Sequence, residues 1–147
     1  MKHYKELRGA IIQYESKFRH SSLPELAKAN LYDLYPEKGY PDPRVGYRWP
    51  EKWPHNDRAG VYVFLDENLE VLYIGKASMH NTLGARLGMY VQYDADKKCE
   101  LRHSSLWKGA PRYVFVIAVP EDSRFEAASL EEYLIGQIPT SDNTNGQ

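Results

Sequence analysis

The apolar positions of this chain change period as they run from one end to the other. Leu7, Ile11, Tyr14 and Phe18 fall at helical spacing, which predicts an amphipathic helix over about residues 4 to 19. Ser22 followed by Glu25, with Pro24 between them, has the form of a capping box, and Leu23, Leu26 and Leu31 carry a second short helix to about Leu34. From Pro36 to Pro54 five prolines interrupt any sustained period, so this stretch reads as an ordered but irregular loop crossing the surface. The period then shortens to two. Val61, Val63 and Leu65 alternate with Tyr62 and Phe64, Asp66-Glu67-Asn68 supplies turn chemistry, and Leu69, Val71 and Tyr73 resume the apolar run, which together predict a hairpin. Thr82 stands where it can cap a helix whose Leu83, Leu87, Tyr90 and Val91 share a face, with Arg86 and Tyr90 four residues apart on it. Tyr113 to Val119 is a nearly continuous apolar run suited to the centre of a sheet. Ser123 and Glu126 form another capping box, opening a helix that runs to about Gln137.

These elements predict an α+β fold: a small three-stranded, mainly antiparallel sheet flanked by helices, preceded by an N-terminal helical extension. At 147 residues and 42% hydrophobic content the chain can bury one core but is short for two, so a single domain is expected over 1–147. Within it, residues 1–57 form the extension and 58–144 the core. The single cysteine, Cys99, excludes an intramolecular disulfide and a cysteine-rich zinc site. The first residues develop no signal-peptide apolar run, and no apolar run approaches the roughly 18 residues needed to span a bilayer, so a soluble cytoplasmic protein with no membrane partner is expected. A net charge of −1 gives no overall attraction to a polyanion, which leaves any nucleic-acid contact to a local basic groove.

Two short runs stand out on the hairpin: Gly60-Val61-Tyr62 and Tyr73-Ile74-Gly75-Lys76-Ala77. They resemble the two halves of the GIY-YIG nuclease signature, with Val61 replacing the usual isoleucine and keeping a β-branched side chain. The order of polar residues downstream is similar to the family's as well. Lys76 follows Tyr73 by three, Arg86 is followed by Tyr90 four later, and Glu131 precedes Asn143 by twelve. The resemblance covers about residues 58 to 144 and departs at Arg86, which lies thirteen residues after Tyr73, further than in many members, so that Ser78-Met79-His80-Asn81 looks like a small insertion. It implies a GIY-YIG-like core and a metal-dependent DNA endonuclease, a phosphodiester hydrolase leaving 5′-phosphate and 3′-hydroxyl ends. Its site would comprise Tyr62, Tyr73, Lys76, Arg86, Tyr90, Glu131 and Asn143.

The residue types suit that chemistry. Phosphodiester hydrolysis needs an activated water, stabilisation of negative charge in the transition state and help for the departing oxygen, and a divalent metal meets several of these needs together. On the last predicted helix the apolar stripe of Ala127, Leu130, Leu134, Ile135 and Ile138 centres almost on Glu131, while Glu132 falls towards its edge. A carboxylate in a buried face is costly unless it is paired or bound to a metal, so Glu131 is either a metal ligand or the partner of Arg86 in a structural ion pair. One acidic candidate fits one Mg2+ or Mn2+ completed by water and phosphate oxygens. Arg86 would clamp the scissile phosphate and Lys76 would add positive charge beside the attacking group. Tyr62 is the candidate general base or proton relay, although a free phenol with a pKa of about 10 is a poor base at neutral pH. Tyr73 and Tyr90 would hydrogen-bond the same assembly, and Asn143 would brace it. Equally, each tyrosine taken alone reads as a core aromatic with one polar tip, and Asn143 as part of the C-terminal tail. His80 and His103 read as surface or loop histidines, without metal-ligand spacing, and Gly84 and Gly88 lack the preceding strand of a dinucleotide fingerprint.

Arg44, Tyr47, Arg48, Trp49, Lys52 and Trp53 interleave cations with aromatics. Arg44, Arg48, Trp49 and Lys52 are candidates for gripping DNA phosphates and bases, and the alternative is a loop whose tryptophans seal the core. Two other functions fit the same sequence: a noncatalytic nucleic-acid-binding module on the same scaffold, and a protein-interaction domain using the aromatic extension. The sequence leaves the oligomeric state open, a homodimer included.

Overall fold

The computed structural model describes residues 3–35, 47–48, 52–96, 98–102, 107–138 and 140, with 47–48 described for the backbone only. Helix α1 spans Tyr4–Phe18 and is capped by His3, whose Nδ1 accepts from the Lys5 amide at 3.1 Å. Its Leu7, Ala10, Ile11 and Tyr14 are buried, the i, i+3, i+4, i+7 stripe of an amphipathic helix laid on a sheet. Strands β1 (Ala27–Lys28), β2 (Tyr32–Asp33) and β3 (Tyr47–Arg48) are short. Strands β4 (Gly60–Leu65) and β5 (Val71–Ala77) form the expected hairpin, helix α2 spans Leu83–Tyr90, and β6 (Val91–Tyr93) pairs with β7 (Cys99–Leu101). Strand β8 (Tyr113–Ala118) and helix α3 (Glu126–Gln137) complete the order.

The main sheet runs β3-β2-β8-β4-β5, with β1 also on β8, and is antiparallel except for the β2–β3 pair. Its heart is the predicted trio β5-β4-β8, and the α+β class holds. Every residue of β4 and β8 is buried because both faces of the sheet are covered. Val61, Val63, Leu65, Phe115 and Ile117 point into a core shared with α1 and α3. Tyr62, Phe64, Val114, Val116 and Ala118 point into a second core shared with α2, β6 and Trp53. The alternation of the sequence survives as a partition between two cores rather than between core and solvent.

Four details differ from the sequence reading. Residues 22–34 form no second helix, because Ser22 Oγ and the Ser22 amide both engage His20 Nδ1, leaving no cap. The chain instead lies along β8, pairing Ala27 with Ala118 and Tyr32 with Val114, while Leu26, Leu31 and Leu34 are buried. The strands therefore outnumber the three expected. Val91 leaves the α2 face and opens β6, its amide closing the helix on the Leu87 carbonyl. Ser123 lies in a 3-10 turn with its hydroxyl buried and unbonded, so it caps nothing, and α3 starts without a side-chain cap. The Glu126 carboxylate turns away to α1, where it pairs with Arg19, whose Nη2 donates at 2.9 Å, and accepts from Tyr14 Oη at 3.1 Å. That network staples α1 to α3. A second buried ion pair, Arg112 with the fully buried Asp33 at 2.8 Å, anchors β2 to the start of β8. Most of the Pro36 to Pro54 loop lies outside the described residues.

Candidate active site

Hairpin β4–β5 carries both signature runs, and its turn is built as its residues predict: Asp66 Oδ1 accepts from the Asn68 and Glu70 amides at 2.8 and 3.0 Å. Register places Gly60 opposite Ala77, Val61 opposite Lys76 and Tyr62 opposite Gly75. The two glycines are explained by what passes over them. A Cβ on Gly75 would lie 2.4 Å from the Tyr62 ring and 2.5 Å from its hydroxyl, so the Tyr62 side chain crosses β5 at the one place without a side chain. A Cβ on Gly60 would lie 2.0 Å from the Ile117 carbonyl oxygen of β8.

Crossing Gly75 brings the Tyr62 hydroxyl to Tyr73 and Tyr90. The Tyr62 and Tyr73 rings stack with centroids 6.2 Å apart, and Tyr62 Oη donates to Tyr90 Oη at 3.3 Å. Tyr73 Oη and Tyr90 Oη also lie 3.3 Å apart. Helix α2 contributes Tyr90 together with Arg86, one turn earlier, whose Nη2 donates to both Tyr62 Oη and Tyr90 Oη at 3.4 Å. The helix is fixed for this by Thr82, whose hydroxyl accepts from the Ala85 amide at 3.2 Å. Arg86 Nε is buried and unbonded, so part of its planar donor set is unused. Burial, then the hydrogen bond with Tyr90, pushes the Tyr62 phenol well above its ordinary range, and the same two causes raise Tyr73. Both are neutral phenols at physiological pH. Burial works most strongly against the Arg86 charge, but the hydrogen bond with Tyr62 and the electrostatic influence of Tyr62, Tyr90 and Tyr73 together outweigh it and raise its pKa.

Lys76 and Glu131 come from the opposite face of β5. Tyr73 and Gly75 share the α2 side, whereas Ile74 joins the α1/α3 core and Lys76 follows it on that side. The buried face of α3 centres on Leu130 and Leu134, one step from Glu131, so the carboxylate sits at the margin of that face rather than in its middle. It is half-buried rather than buried, while Glu132 is exposed, so the expected order of the two holds but the expected centre of the stripe does not. Among the described residues Glu131 forms no hydrogen bond and no ion pair, and Arg86 does not pair with it. Burial raises the Glu131 pKa, and the charges of Lys76 and then Arg86 pull it back down. The field of Glu131 also reaches Tyr73. The structure thus gathers Tyr62, Tyr73, Tyr90 and Arg86 in direct contact and sets Lys76 and Glu131 within electrostatic reach.

Of the remaining sequence candidates, Asn143, Arg44 and Trp49 lie outside the described residues, as does the side chain of Arg48. Lys52 is exposed. Trp53 is buried and packs against Tyr93, centroids 6.5 Å apart, which is the sealing arrangement for that tryptophan. One contributor escaped the sequence reading. Trp107 packs edge-on against Phe64, Tyr73 and Tyr90 at 5.0, 6.0 and 6.0 Å and walls the tyrosine cluster. It follows no periodic run, so no pattern marked it.

No group of three or more histidine, cysteine, aspartate or glutamate side chains is arranged to hold a metal among the described residues. Glu131 does fit a cation that takes a single protein carboxylate: it is an oxygen ligand, half-buried, with no described partner. Comparisons of the chain with protein-family models, with curated proteins and with solved structures return no match.

Proposed function

We propose that this chain is a divalent-metal-dependent endonuclease that hydrolyses phosphodiester bonds in DNA, the activity implied by its resemblance to the GIY-YIG nucleases. The observation that carries the reading is the cluster of three phenol hydroxyls, two of them on Arg86 and the third on Tyr90, with the Glu131 carboxylate, which has no partner among the described residues, across the outermost strand. A phosphate with its counter-cation would give every member of the group a task.

Glu131 would hold Mg2+ or Mn2+, with water and phosphate oxygens completing the set. When bound, the cation supplies neutralisation of the charge that develops on the phosphate and acidifies the attacking water. Arg86, whose contacts to the tyrosine hydroxyls are long at 3.4 Å, would turn its planar fork to the non-bridging phosphate oxygens and stabilise the transition state there. Lys76 adds positive charge on the Glu131 side. Tyr62, too weak an acid to be a resident phenolate, acts as a relay: it accepts a proton from the attacking water as its own passes to Tyr90 Oη, and half-buried Tyr90 in turn releases its proton to solvent. Tyr73 holds Tyr90 in place for that exchange.

The deciding experiment is incubation of supercoiled, linear and branched DNA with the purified protein in Mg2+, in Mn2+ and in EDTA. Strand cleavage on at least one substrate, abolished by EDTA, is the expected result. Gel retardation of DNA without metal-dependent cleavage of any substrate would replace this reading with the noncatalytic binding module.

A further inference from the structure

A cavity of about 630 Å³ lies along the outer side of α1, away from the tyrosine cluster, and among the described residues every titratable lining group but Tyr4 is basic. His3, Lys5 and Arg8 line it, and no described carboxylate does. Elsewhere in the described structure arginines and lysines are commonly matched: Arg19 to Glu126, Lys28 to Glu15, Arg58 and Arg124 to Glu121, Arg112 to Asp33. Among the described residues Lys5 and Arg8 form no ion pair, and Arg8 instead lies over the Tyr4 ring at 5.8 Å. The floor is aliphatic. Leu31 and Leu69 are buried beneath it, Gly9 leaves open space where a side chain would stand, and Ile12 at its far end is 58% exposed. Past Ile12 the groove continues among Glu15, Glu25 and Lys28, and its one-sided charge ends.

We propose that this groove binds an acidic peptide segment, with carboxylates on Lys5 and Arg8 and an aliphatic side chain seated over Gly9 beside Ile12. Charge complementarity selects an anion, since the lining is basic and unmatched. The floor selects a peptide over a nucleic acid, because strand binding uses exposed aromatic platforms, and here the only aromatic, Tyr4, is packed edge-on against Phe115 at 5.4 Å. An exposed isoleucine beside a backbone without a side chain is a seat for one aliphatic group, and the volume lies in the range of specific small-ligand sites.

The test uses the full chain labelled with 15N and three probes: a blocked eight-residue peptide alternating aspartate and leucine, its aspartate-to-asparagine counterpart, and an eight-nucleotide oligothymidylate. The expected result is that the acidic peptide shifts the amides of Gly9, Ile12, Leu31 and Leu69, saturably. The asparagine peptide should bind more weakly by about tenfold, the scale of two exposed ion pairs. Lys5→Ala with Arg8→Ala should give the same loss, and Gly9→Leu, which fills open space on an exposed helix face, should abolish binding while the rest of the spectrum stays native. Absence of saturable shifts with the acidic peptide, equal binding of the asparagine peptide, or stronger shifts at these amides with the oligothymidylate would each overturn the proposal.

Discussion

Glu131 is a side chain the fold would hold more readily if it were neutral. Its pKa is raised chiefly by burial, so the folded chain binds its proton more tightly than the unfolded chain does. The contribution to stability is then fully present below the unfolded pKa and is lost as pH rises through the folded one. Glu131→Gln is therefore expected to abolish cleavage while leaving the melting temperature at pH 7 equal to or above that of the parent. The difference between the two should shrink as pH falls through the raised carboxyl range. Exposed Glu132→Gln should change neither activity nor melting temperature appreciably. A loss of melting temperature in Glu131→Gln at neutral pH would mean that the carboxylate is structural. Gly75 makes the complementary point. Its replacement by alanine places a methyl group inside the Tyr62 ring and must move either the ring or the strand, a cost on the order of 1–3 kcal/mol or more by the scale of overpacking. Cleavage should fall with it, because the Tyr62 hydroxyl loses Tyr90 and Arg86; retention of both stability and turnover would remove the crossing from the mechanism.

Among the elements, those that the sequence revealed most clearly are those whose partners lie close by in sequence or whose own period is strong. The hairpin follows from alternation and from the Asp66 turn, α1 from its i, i+3, i+4, i+7 stripe, and α2 from Thr82. The stretch around 22–34 was misread because its conformation is decided by β8, some ninety residues away, and short edge pairing leaves no periodic trace. Ser123 with Glu126 shows the same limit: the spacing matches a capping box, but the carboxylate has a stronger partner in Arg19, the residue that ends α1. Tyr62, Tyr73, Arg86 and Tyr90, grouped as candidates by their order along the chain, do meet in space, whereas the wall formed by Trp107 left no trace in the sequence. For the segment before β4, Trp53→Ala is expected to cost about 3–5 kcal/mol, as for other buried aromatics, and to lower the melting temperature without altering the salt dependence of DNA binding. Alanine at Arg44, Arg48 and Lys52 together should do the reverse if these cations meet phosphates, flattening the log–log salt slope by up to about three contacts at roughly 0.9 each. An unchanged slope in that triple variant would exclude the segment from the DNA interface.

At the scale of the molecule, the proposed cation would compete with protons for the Glu131 carboxylate, and that competition would give the pH profile its form. Cleavage should fall on the acid side through a limb lying above the ordinary carboxylate range of about 4.3, and that limb should move to lower pH as Mg2+ is raised. An acid limb indifferent to Mg2+ would disqualify Glu131 as the ligand. No alkaline loss from phenol ionisation is expected below about pH 10, since burial holds Tyr62 and Tyr73 protonated beyond the ordinary phenol range.

Tyr73 and Lys76 stand three residues apart on β5, and an odd separation in a strand sends two side chains to opposite faces. The offset between Tyr73 on the phenol side and Lys76 on the carboxylate side is consequently measured by the thickness of one extended backbone, a covalent gauge that cannot stretch. Drift of α2 or α3 moves Arg86, Tyr90 or Glu131 but leaves that offset unchanged. A single-residue deletion between Tyr73 and Lys76 would instead bring both onto the same side and leave one half of the assembly empty, so this short interval is where the chain has least freedom to vary in length.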